Sequence, residues 1–580
     1  MILHRDYETR STVDLRKVGV HVYAEHPTTD VWVAVFILED DAGKLGGPII
    51  WYPGEEIPDE VFGALNDPRV TIAGHNAAFE QTIDRHIMGP RYGFPIVPDS
   101  RIDCTMARAA IQAIPLDLAG ACNALNLRYQ KDAAGHRLML QMCRPRRIED
   151  NGTVVWWDDP AKRQRLTDYC TADVLAEAEL GRVLRPMQAI ERPVWQLDQT
   201  INNRGVYIDA EFVRLAERVV VEAGKRADAE MRRVTGGAVE KASQVERLKE
   251  FAKSHGVEFK LVEKVRRNGE EYEAEAADRE ALEDLLAGDL PEPVRLAFQI
   301  RLDAGKSSVK KLAKFRAQMC GDGRARGNLQ YHAATPGRWA GRGIQLQNLV
   351  RKGISEYGGW AAAHRDLRDL DLTTFDLVWG SPLDVVSRML RGAVVAAPGC
   401  KLIFGDYSNV EARGCVWSAK QDDQVELFAS GGLIYEEMAS AIFDISVEEV
   451  LELHKSKRDI IPRFVGKETV LGCGYGMGPA AFKRNCKKKG KVVLDEGLCY
   501  RAVHGWRDRN HRVVDFWREI EDAAKAAIDN PGKVFWAGPF AYRRPHPLWL
   551  QCRLPSGRVI WYRRPSLKPA SEDLEQLDEG

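Results

Sequence analysis

Two groups of acidic side chains have the types and spacing expected of divalent-metal sites. Asp6 and Glu8 are two residues apart, so on a β-strand both would point to one face. Tyr169 and Asp173 are four residues apart and would share one face of a helix, while Glu80 ends the segment His75-Asn76-Ala77-Ala78-Phe79-Glu80. Two Mg²⁺ or Mn²⁺ ions need several hard oxygen ligands. We therefore expect Asp6, Glu8, Glu80 and Asp173 to bind two metal ions for phosphodiester hydrolysis, with Tyr169 orienting the attacking water.

A second acidic position is followed by a cationic helix. Asp406 comes after the apolar run Leu402-Ile403-Phe404, which predicts a strand over Lys401 to Phe404 that ends at a metal-binding carboxylate. Farther on, four side chains recur at intervals of four, as on one helix: Arg463, Lys467, Leu471 and Tyr475. Two cations one turn apart suit a nucleoside triphosphate, and Tyr475 offers a flat surface for its base. The pattern therefore predicts a nucleotide-binding helix beside a second two-metal site.

The elements that must position these groups follow from periodicity. Residues 1 to about 190 indicate an α/β unit, with predicted strands at Val20 to Tyr23, Val31 to Phe36 and Val70 to Ala73. Helices dominate Gln421 to Asp522, and short strands are expected after Pro531. A turn is predicted at Asn268-Gly269, and the acidic tail Ser571 to Gly580 is expected to be disordered.

Composition restricts the class of protein. The 580 residues carry a net charge of −1, and the 11 cysteines include no Cys-x-x-Cys pair, which disfavours a disulfide framework or zinc site. There is no run of 18 apolar residues, so we expect no membrane span and a cytoplasmic protein. Basic residues cluster among aromatic ones, as in a channel that follows phosphates. These clusters are Lys306 to Lys314, Arg338 to Lys352, Lys483 to Lys491 and Arg501 to Arg512.

The first acidic group, taken as an ordered trio of motifs, resembles the exonuclease motifs of DnaQ-like 3′→5′ proofreading nucleases. The sequence departs from that pattern at Glu80, where the family usually has aspartate, and the longer side chain would move a bound ion. Asp103 is an alternative ligand, although a cap for the helix predicted near Thr105 explains it more simply.

The second group resembles family A DNA polymerases of bacteriophage type. Asp406-Tyr407-Ser408-x-x-Glu411-x-Arg413 is similar to motif A, and Arg463-x-x-x-Lys467 with Tyr475-Gly476 is similar to motif B. Thr335-Pro336-Gly337-Arg338 and Gln345-Leu346-Gln347-Asn348 resemble the segment of these enzymes that contacts the primer–template minor groove.

The resemblance implies a role for each matched residue. Asp406 would bind both catalytic metals with help from the Tyr407 carbonyl, and Glu411 would exclude a ribose 2′-hydroxyl. Arg463 and Lys467 would hold the triphosphate, and Tyr475 would stack near the templating base. Leu471 replaces the usual Phe or Tyr. The implied DNA-binding residues are Arg338, Gln347, Asn348 and Arg413, and the implied partners are primer–template DNA and dNTPs.

The expected fold is α/β and multidomain, with an RNase H-like 3′→5′ exonuclease domain followed by a right-hand polymerase body of thumb, partial palm and fingers. The expected domains are the exonuclease at 1–190, a helical connector and thumb at 191–330, the first part of the palm at 331–420, and the fingers with the start of a return to the palm at 421–580. The family's third motif contains a His-Asp pair, and no such pair occurs in the sequence. We therefore expect a separate C-terminal polypeptide to complete the polymerase site.

Three functions follow from these patterns. The first is a proofreading DNA polymerase that replicates a phage genome in the cytoplasm of an infected bacterial host. The second is a stand-alone 3′→5′ DNA exonuclease whose polymerase-like body only grips DNA. The third is a non-enzymatic DNA-binding scaffold, whose affinity would fall steeply with salt without metal-dependent turnover.

Overall fold

The computed structural model describes residues 1–266, 270–305, 307–334 and 336–567. The predicted turn at Asn268-Gly269, Lys306, Thr335 and the predicted disordered tail lie outside the described residues. The chain divides into two compact units. The first comprises Met1–Ala110, Pro115–Met187 and Arg192–Leu402, and the second comprises Ile111–Ile114, Gln188–Glu191 and the chain from Ile403 onward. The four expected domains are finer than this division and stay a prediction.

A five-stranded mixed sheet organises the start of the first unit. Its strands, in chain order, are β1 (Ile2–Arg10), β2 (Asp30–Glu39), β3 (Ile49–Trp51), β4 (Thr71–Gly74) and β5 (Ile102–Cys104). Their order in the sheet is β3-β2-β1-β4-β5. β1 pairs antiparallel with β2 and parallel with β4, and β4 pairs parallel with β5. β1 lies at the centre of this sheet, which confirms the α/β character expected of the first 190 residues, while the RNase H-like exonuclease domain stays a prediction.

Helix Pro160–Val183 covers one face of this sheet. Asp159 caps its N-terminus through the amide of Lys162, and Pro160 occupies the first turn, where a missing N–H costs nothing. Its apolar residues Leu166, Cys170 and Val174 pack with Val33 and others of β2 in one core. Because successive side chains of a strand alternate, the same face of β1 that carries Asp6 and Glu8 meets this helix.

The rest of the first unit is mainly helical. Strand Val206–Ile208 pairs with Arg324–Ala325 on one side and with Val394–Val395 on the other. Two hydrophobic cores lie along helix Ala210–Val234, one around Phe212, Phe315 and Phe375, the other around Met231, Phe251 and Phe298. The longer helices of the unit are Leu15–Glu25, Asp59–Asn66, Leu118–Leu125, Ala133–Met142, Pro160–Val183, Arg192–Arg204, Ala210–Val234, Val245–Ser254, Arg279–Leu286, Glu292–Ala304, Gly359–Asp369, Leu372–Trp379 and Pro382–Met389.

The second unit consists of helices followed by an antiparallel sheet. Its strands run Val534–Ala537, Phe540–His546, Trp549–Arg553 and Val559–Arg563, each paired with the next. One core joins helices and sheet. The helices are Val410–Ala419, Asp422–Ala429, Ile434–Phe443, Val447–Ser456, Ile461–Cys473, Pro479–Gly490, Glu496–Arg509 and His511–Asp529. The helical stretch and the strands after Pro531 are confirmed.

Two predicted strands are wrong. Val20 to Tyr23 lies within helix Leu15–Glu25, because packing of its buried His21 and Tyr23 outweighs the β-propensity of valine and tyrosine. Lys401 to Phe404 forms no regular element, and Ile403 and Phe404 are 93% and 87% exposed. Among the described residues no strand pairs with this run, so its apolar character alone does not fix a strand. The predicted strands at Val31 to Phe36 and Val70 to Ala73 are confirmed by β2 and β4.

Within the part of the chain that the structure describes, none of the helices combines the length and apolar character needed to cross a bilayer.

The central position of β1 predicts a large cost for truncating its core side chain. Leu3 is fully buried, so Leu3→Ala should lower the free energy of unfolding by about 3 kcal/mol. Ile50→Ala, at a 37% exposed position of β3, is the matched control and should cost less than about 1 kcal/mol. Urea titration followed by circular dichroism measures both. Equal losses for the two variants would contradict the placement of β1.

Candidate active sites

The first acidic group converges between β1 and helix Pro160–Val183. One ligand atom from each of Asp6, Glu8 and Cys170 lies within 4.8 Å of the other two. One turn farther along the helix, Asp173 lines the same cavity, which measures about 360 Å³, together with Glu80 and Tyr169. The two-residue and four-residue spacings noted in the sequence therefore bring Asp6, Glu8, Tyr169 and Asp173 to one place.

Glu80 reaches this cavity from the turn that follows β4. Asn76 has a left-handed backbone (φ 69°), and helix Ala78–Ile83 begins directly after the turn. His75 holds the turn, because its Nε2 donates to the Leu116 carbonyl at 2.8 Å while Nδ1 lies 3.1 Å from Thr105 Oγ1. The side chain of Glu80 thus lines the same cavity as Asp173.

Burial and mutual repulsion raise the proton affinity of these carboxyl groups. Burial, followed by the charge of Asp173, raises the pKa of Asp6 to about 6. Burial and the charge of Asp6 raise the pKa values of Glu8 and Glu80 well above their ordinary range. The pKa of the Cys170 thiol is also raised, chiefly by burial, so Cys170 stays a thiol whose sulfur lies 3.6 Å from Asp6 Oδ2. A cation bound among these carboxyl groups would therefore stabilise their ionised form.

The donor set fits divalent metal ions. Among the described residues, the buried atoms Glu80 Oε2 and Asp173 Oδ1 have no hydrogen-bond partner. A buried carboxylate oxygen without a partner is costly, and coordination to a cation removes that cost. Asp6, Glu8, Glu80 and Asp173 provide the hard oxygen ligands that Mg²⁺ or Mn²⁺ requires.

Sequence reasoning missed Lys131, which lines the cavity, and Arg5, which is buried behind it in β1. Lys131 Nζ donates to Asp173 Oδ2 at 2.8 Å and lies 5.3 Å from the centre of the Tyr169 ring. On the opposite face of β1, the buried Arg5 contacts Asp84 at 2.6 Å and donates to the Tyr7 hydroxyl at 3.0 Å. Lys131 lies in a loop between helices, where no periodic pattern marks it. The alternation of charged and aromatic residues along β1 was the available signal for Arg5.

Asp103, the alternative metal ligand considered from the sequence, forms an ion pair with Arg108. Its Oδ2 accepts from Arg108 Nη1 at 2.7 Å.

The segment around Asp406 lies on the surface of the second unit. Asp406 is exposed, and so is Tyr407, at 84%. Helix Val410–Ala419 begins after Asn409, whose side chain accepts a 2.5 Å hydrogen bond from the Tyr435 hydroxyl. Arg413 holds the segment by donating to the Ser408 carbonyl at 3.0 Å. Asp406 therefore precedes this helix, and Glu411 lies in its first turn.

Arg413 has a structural contact that the sequence did not indicate. Besides Ser408, it donates to the Phe428 carbonyl at 3.2 Å, and its guanidinium lies 4.8 Å from the centre of the Phe428 ring. Its predicted contact with DNA stays a prediction.

The predicted nucleotide-binding helix is Ile461–Cys473, which carries Arg463, Lys467 and Leu471, while Tyr475 follows in the turn at its end. The buried Glu436 accepts from Arg463 Nε at 2.6 Å and fixes its direction. Lys467 and Tyr475 are exposed. The helix approaches Ile434–Phe443 closely, since a Cβ at Gly466 would lie 2.3 Å from the Tyr435 carbonyl oxygen. Glu436 was not predicted, because an acidic residue on a different helix gives no spacing signal.

The predicted DNA-contacting residues share one surface segment of the first unit. Arg338, Gln347 and Asn348 are all exposed. Lys311 secures the end of this segment, donating to the carbonyls of Ile344 and Asn348 at 3.2 and 3.3 Å.

Comparison with known proteins decides the family. No family model matches the sequence. The chain is 30% identical over 575 residues to a protein named DNA polymerase from Bacillus phage SP02, an alignment that covers 97% of this chain and 82% of the relative. The chain belongs to this family of bacteriophage DNA polymerases.

The fold of this polymerase is also that of solved family A enzymes. It is similar to the POL domain of Pol1 from M. smegmatis, solved in complex with a DNA primer-template and dNTP. The TM-score is 0.54 with 16% identity, and the match covers 90% of this chain and 76% of that chain. At that identity the likeness establishes the right-hand family A fold, while the roles of individual residues in this polymerase stay predictions.

The close approach of two helices predicts a specific sensitivity of the polymerase. Gly466→Ala would force its new methyl group against the Tyr435 carbonyl and Ala439, so we expect the second unit to lose about 2 kcal/mol of unfolding free energy. Gly505→Ala, in helix Glu496–Arg509 with open space around it, is the control and should be neutral or stabilising. Thermal unfolding compares the two variants. A Gly466→Ala protein as stable as Gly505→Ala would contradict the described packing.

Proposed function

We propose that this protein is a DNA-directed DNA polymerase with 3′→5′ proofreading exonuclease activity, acting in replication of a phage genome. Membership of the DNA polymerase family supports the first activity. The observation that carries the second is the convergence of Asp6, Glu8, Glu80 and Asp173 on one cavity, with two buried oxygens that have no partner among the described residues.

In the proposed nuclease reaction, a water molecule adds to the phosphorus of the terminal phosphodiester. The bond to the 3′ oxygen breaks, that oxygen leaves as a hydroxyl group, and a deoxynucleoside 5′-monophosphate is released. Asp6, Glu8, Glu80 and Asp173 would hold two Mg²⁺ or Mn²⁺ ions, which supply charge neutralisation for the phosphate. Tyr169 lines the cavity, and its hydroxyl would orient the water.

In the proposed polymerase reaction, the primer 3′ hydroxyl attacks the α-phosphorus of a dNTP and pyrophosphate leaves. Asp406, with the Tyr407 carbonyl, would hold metal ions there, and Glu411 would lie against the sugar. Arg463 and Lys467 would bind the triphosphate, with Leu471 and Tyr475 next to the base. Catalysis in phosphoryl transfer comes mostly from positioning and charge neutralisation. The ion pair between Glu436 and Arg463 supports this assignment, because it presets one cation of the triphosphate site.

DNA binding would use the exposed segment from Arg338 to Asn348, with Gln347 toward the minor groove. The exposed run Leu402 to Phe404 is available to pair with strands of another polypeptide, which would complete the palm and bring a second carboxylate near Asp406. An unpaired apolar segment is a ready partner for such strands. That a separate polypeptide supplies them stays a prediction, and neither comparison supports it.

Single substitutions should separate the two activities. Asp6→Ala should reduce 3′→5′ degradation of a labelled primer roughly 100-fold or more and leave extension intact. Asp406→Ala should do the reverse, with extension of a primer–template by dNTPs and Mg²⁺ as the readout. Chelation of divalent ions by EDTA should stop both. A protein whose degradation survives Asp6→Ala would refute the nuclease assignment.

The expectation of a separate polypeptide has its own test. Primer extension is measured with this chain alone and with any polypeptide encoded directly downstream. Efficient extension by the chain alone would contradict completion in trans, whereas extension only with the second polypeptide would support it.

The buried partner of Arg463 should affect nucleotide binding. Glu436→Gln removes the charge that orients Arg463, so the KM for dNTP should rise about tenfold, which corresponds to about 1.4 kcal/mol. Glu437→Gln is the matched control, since Glu437 pairs with Arg509 at 2.9 Å. Steady-state extension at varied dNTP concentration measures both variants. An unchanged KM in Glu436→Gln would contradict this role.

A further inference from the structure

Lys131 is the one lysine that lines the nuclease cavity, within the residues that the structure describes. Its ammonium is 2.8 Å from Asp173 Oδ2, and its side chain is one-quarter exposed. The nearest anions besides Asp173 are Asp6 and Glu8, whose charges favour the ammonium form and, with Asp173, raise the pKa of Lys131 against the opposing effect of burial. Lys131 therefore enters the cluster as a cation.

The backbone around Lys131 is fixed on both sides. Glu179 of helix Pro160–Val183 accepts from the amides of Arg128 and Tyr129 at 3.0 and 2.8 Å. On the other side, Asp132 caps helix Ala133–Met142 by accepting from the amides of Ala134 and Gly135. The helix that supplies Asp173 thus also anchors the loop that supplies Lys131, which holds the two side chains at a set distance.

The Tyr169 ring completes this arrangement. Lys131 Nζ lies 5.3 Å from the ring centre, within the range of a cation–π contact. Gly135 lies against the same ring, because a Cβ there would approach Tyr169 Cδ2 to 2.5 Å. Lys131 thus contacts a carboxylate and an aromatic ring of the same cavity.

Charge balance indicates what such a cation does. If Asp6, Glu8, Glu80 and Asp173 were all ionised they would carry four negative charges, and a DNA phosphate adds one more. Two divalent ions would balance the carboxylates, and the phosphate charge would face the cations of the cavity lining, which are Lys131, Arg16 and Arg144. Of these, Lys131 contacts the carboxylate of Asp173. A phosphate bound beside Asp173 would lie within reach of the Lys131 ammonium, which forms strong charge-assisted hydrogen bonds to phosphate oxygens.

We propose that Lys131 is a catalytic residue of the nuclease site, whose ammonium neutralises Asp173 in the free protein and contacts the scissile phosphate in the DNA complex. This inference rests on the proposed nuclease function and adds a cation from the chain to it. It has a consequence in the absence of DNA, since the ammonium competes with a divalent ion for Asp173.

The test compares Lys131→Met, Lys131→Arg and wild-type protein. Lys44→Met, at an exposed lysine outside the cavity, is the matched control. The first readout is Mn²⁺ binding to the DNA-free protein, followed by isothermal titration calorimetry. Removal of the competing ammonium should tighten the Mn²⁺ site several-fold in Lys131→Met and leave it unchanged in Lys44→Met. Circular dichroism confirms that each variant is folded.

The second readout is degradation of a single-stranded oligonucleotide at saturating Mn²⁺. Lys131→Met should lower kcat roughly 100-fold, and Lys131→Arg, which keeps the charge, should recover part of that loss. Wild-type Mn²⁺ affinity or wild-type kcat in Lys131→Met would overturn the proposal. Asp6→Ala in the same assay distinguishes failure of the proposed nuclease function from failure of the proposed role of Lys131. Degradation that survives Asp6→Ala refutes the nuclease function itself. The Mn²⁺ titration still tests Lys131 in that case.

Discussion

Electrostatic repulsion among buried carboxylates is the interaction that the packing of the first unit must overcome. Asp6, Glu8, Glu80 and Asp173 come from a central strand, a turn and a long helix, and only the packing of these elements keeps their side chains together. Burial raises the pKa of Asp6 to about 6, which shows how unfavourable the charge is without a counter-ion. The surrounding core holds the acidic groups in place, so they cannot separate to relieve their repulsion.

The second acidic centre is built differently. Asp406 and Tyr407 are exposed and lie on no strand, so nothing in the described part of the chain forces metal ligands together there. The cationic side chains on helix Ile461–Cys473 are held in place instead. Glu436 directs Arg463, and close packing at Gly466 fixes the position of the helix. The proposed nuclease centre is thus marked by its anions and the proposed nucleotide centre by its cations, which agrees with the opposite charges of the metal ions and the triphosphate that they are proposed to bind.

The sequence predicted those parts whose signal is local. The two-residue spacing of Asp6 and Glu8 and the four-residue spacing of Tyr169 and Asp173 gave the correct strand and helix, because both periods follow directly from backbone geometry. Lys131 and Glu436 were missed, since each meets its partner through a tertiary contact that leaves no spacing pattern. The strand expected at Lys401 to Phe404 failed for a related reason, because an apolar run becomes a strand only when another strand pairs with it.

The most direct test of this account is the location of metal ions in crystals of the protein soaked with Mn²⁺, read from anomalous scattering. The account predicts strong peaks between the carboxylates of Asp6, Glu8, Glu80 and Asp173, with the Lys131 ammonium still inside the cavity. Mn²⁺ bound elsewhere while this cluster stays without metal would contradict it.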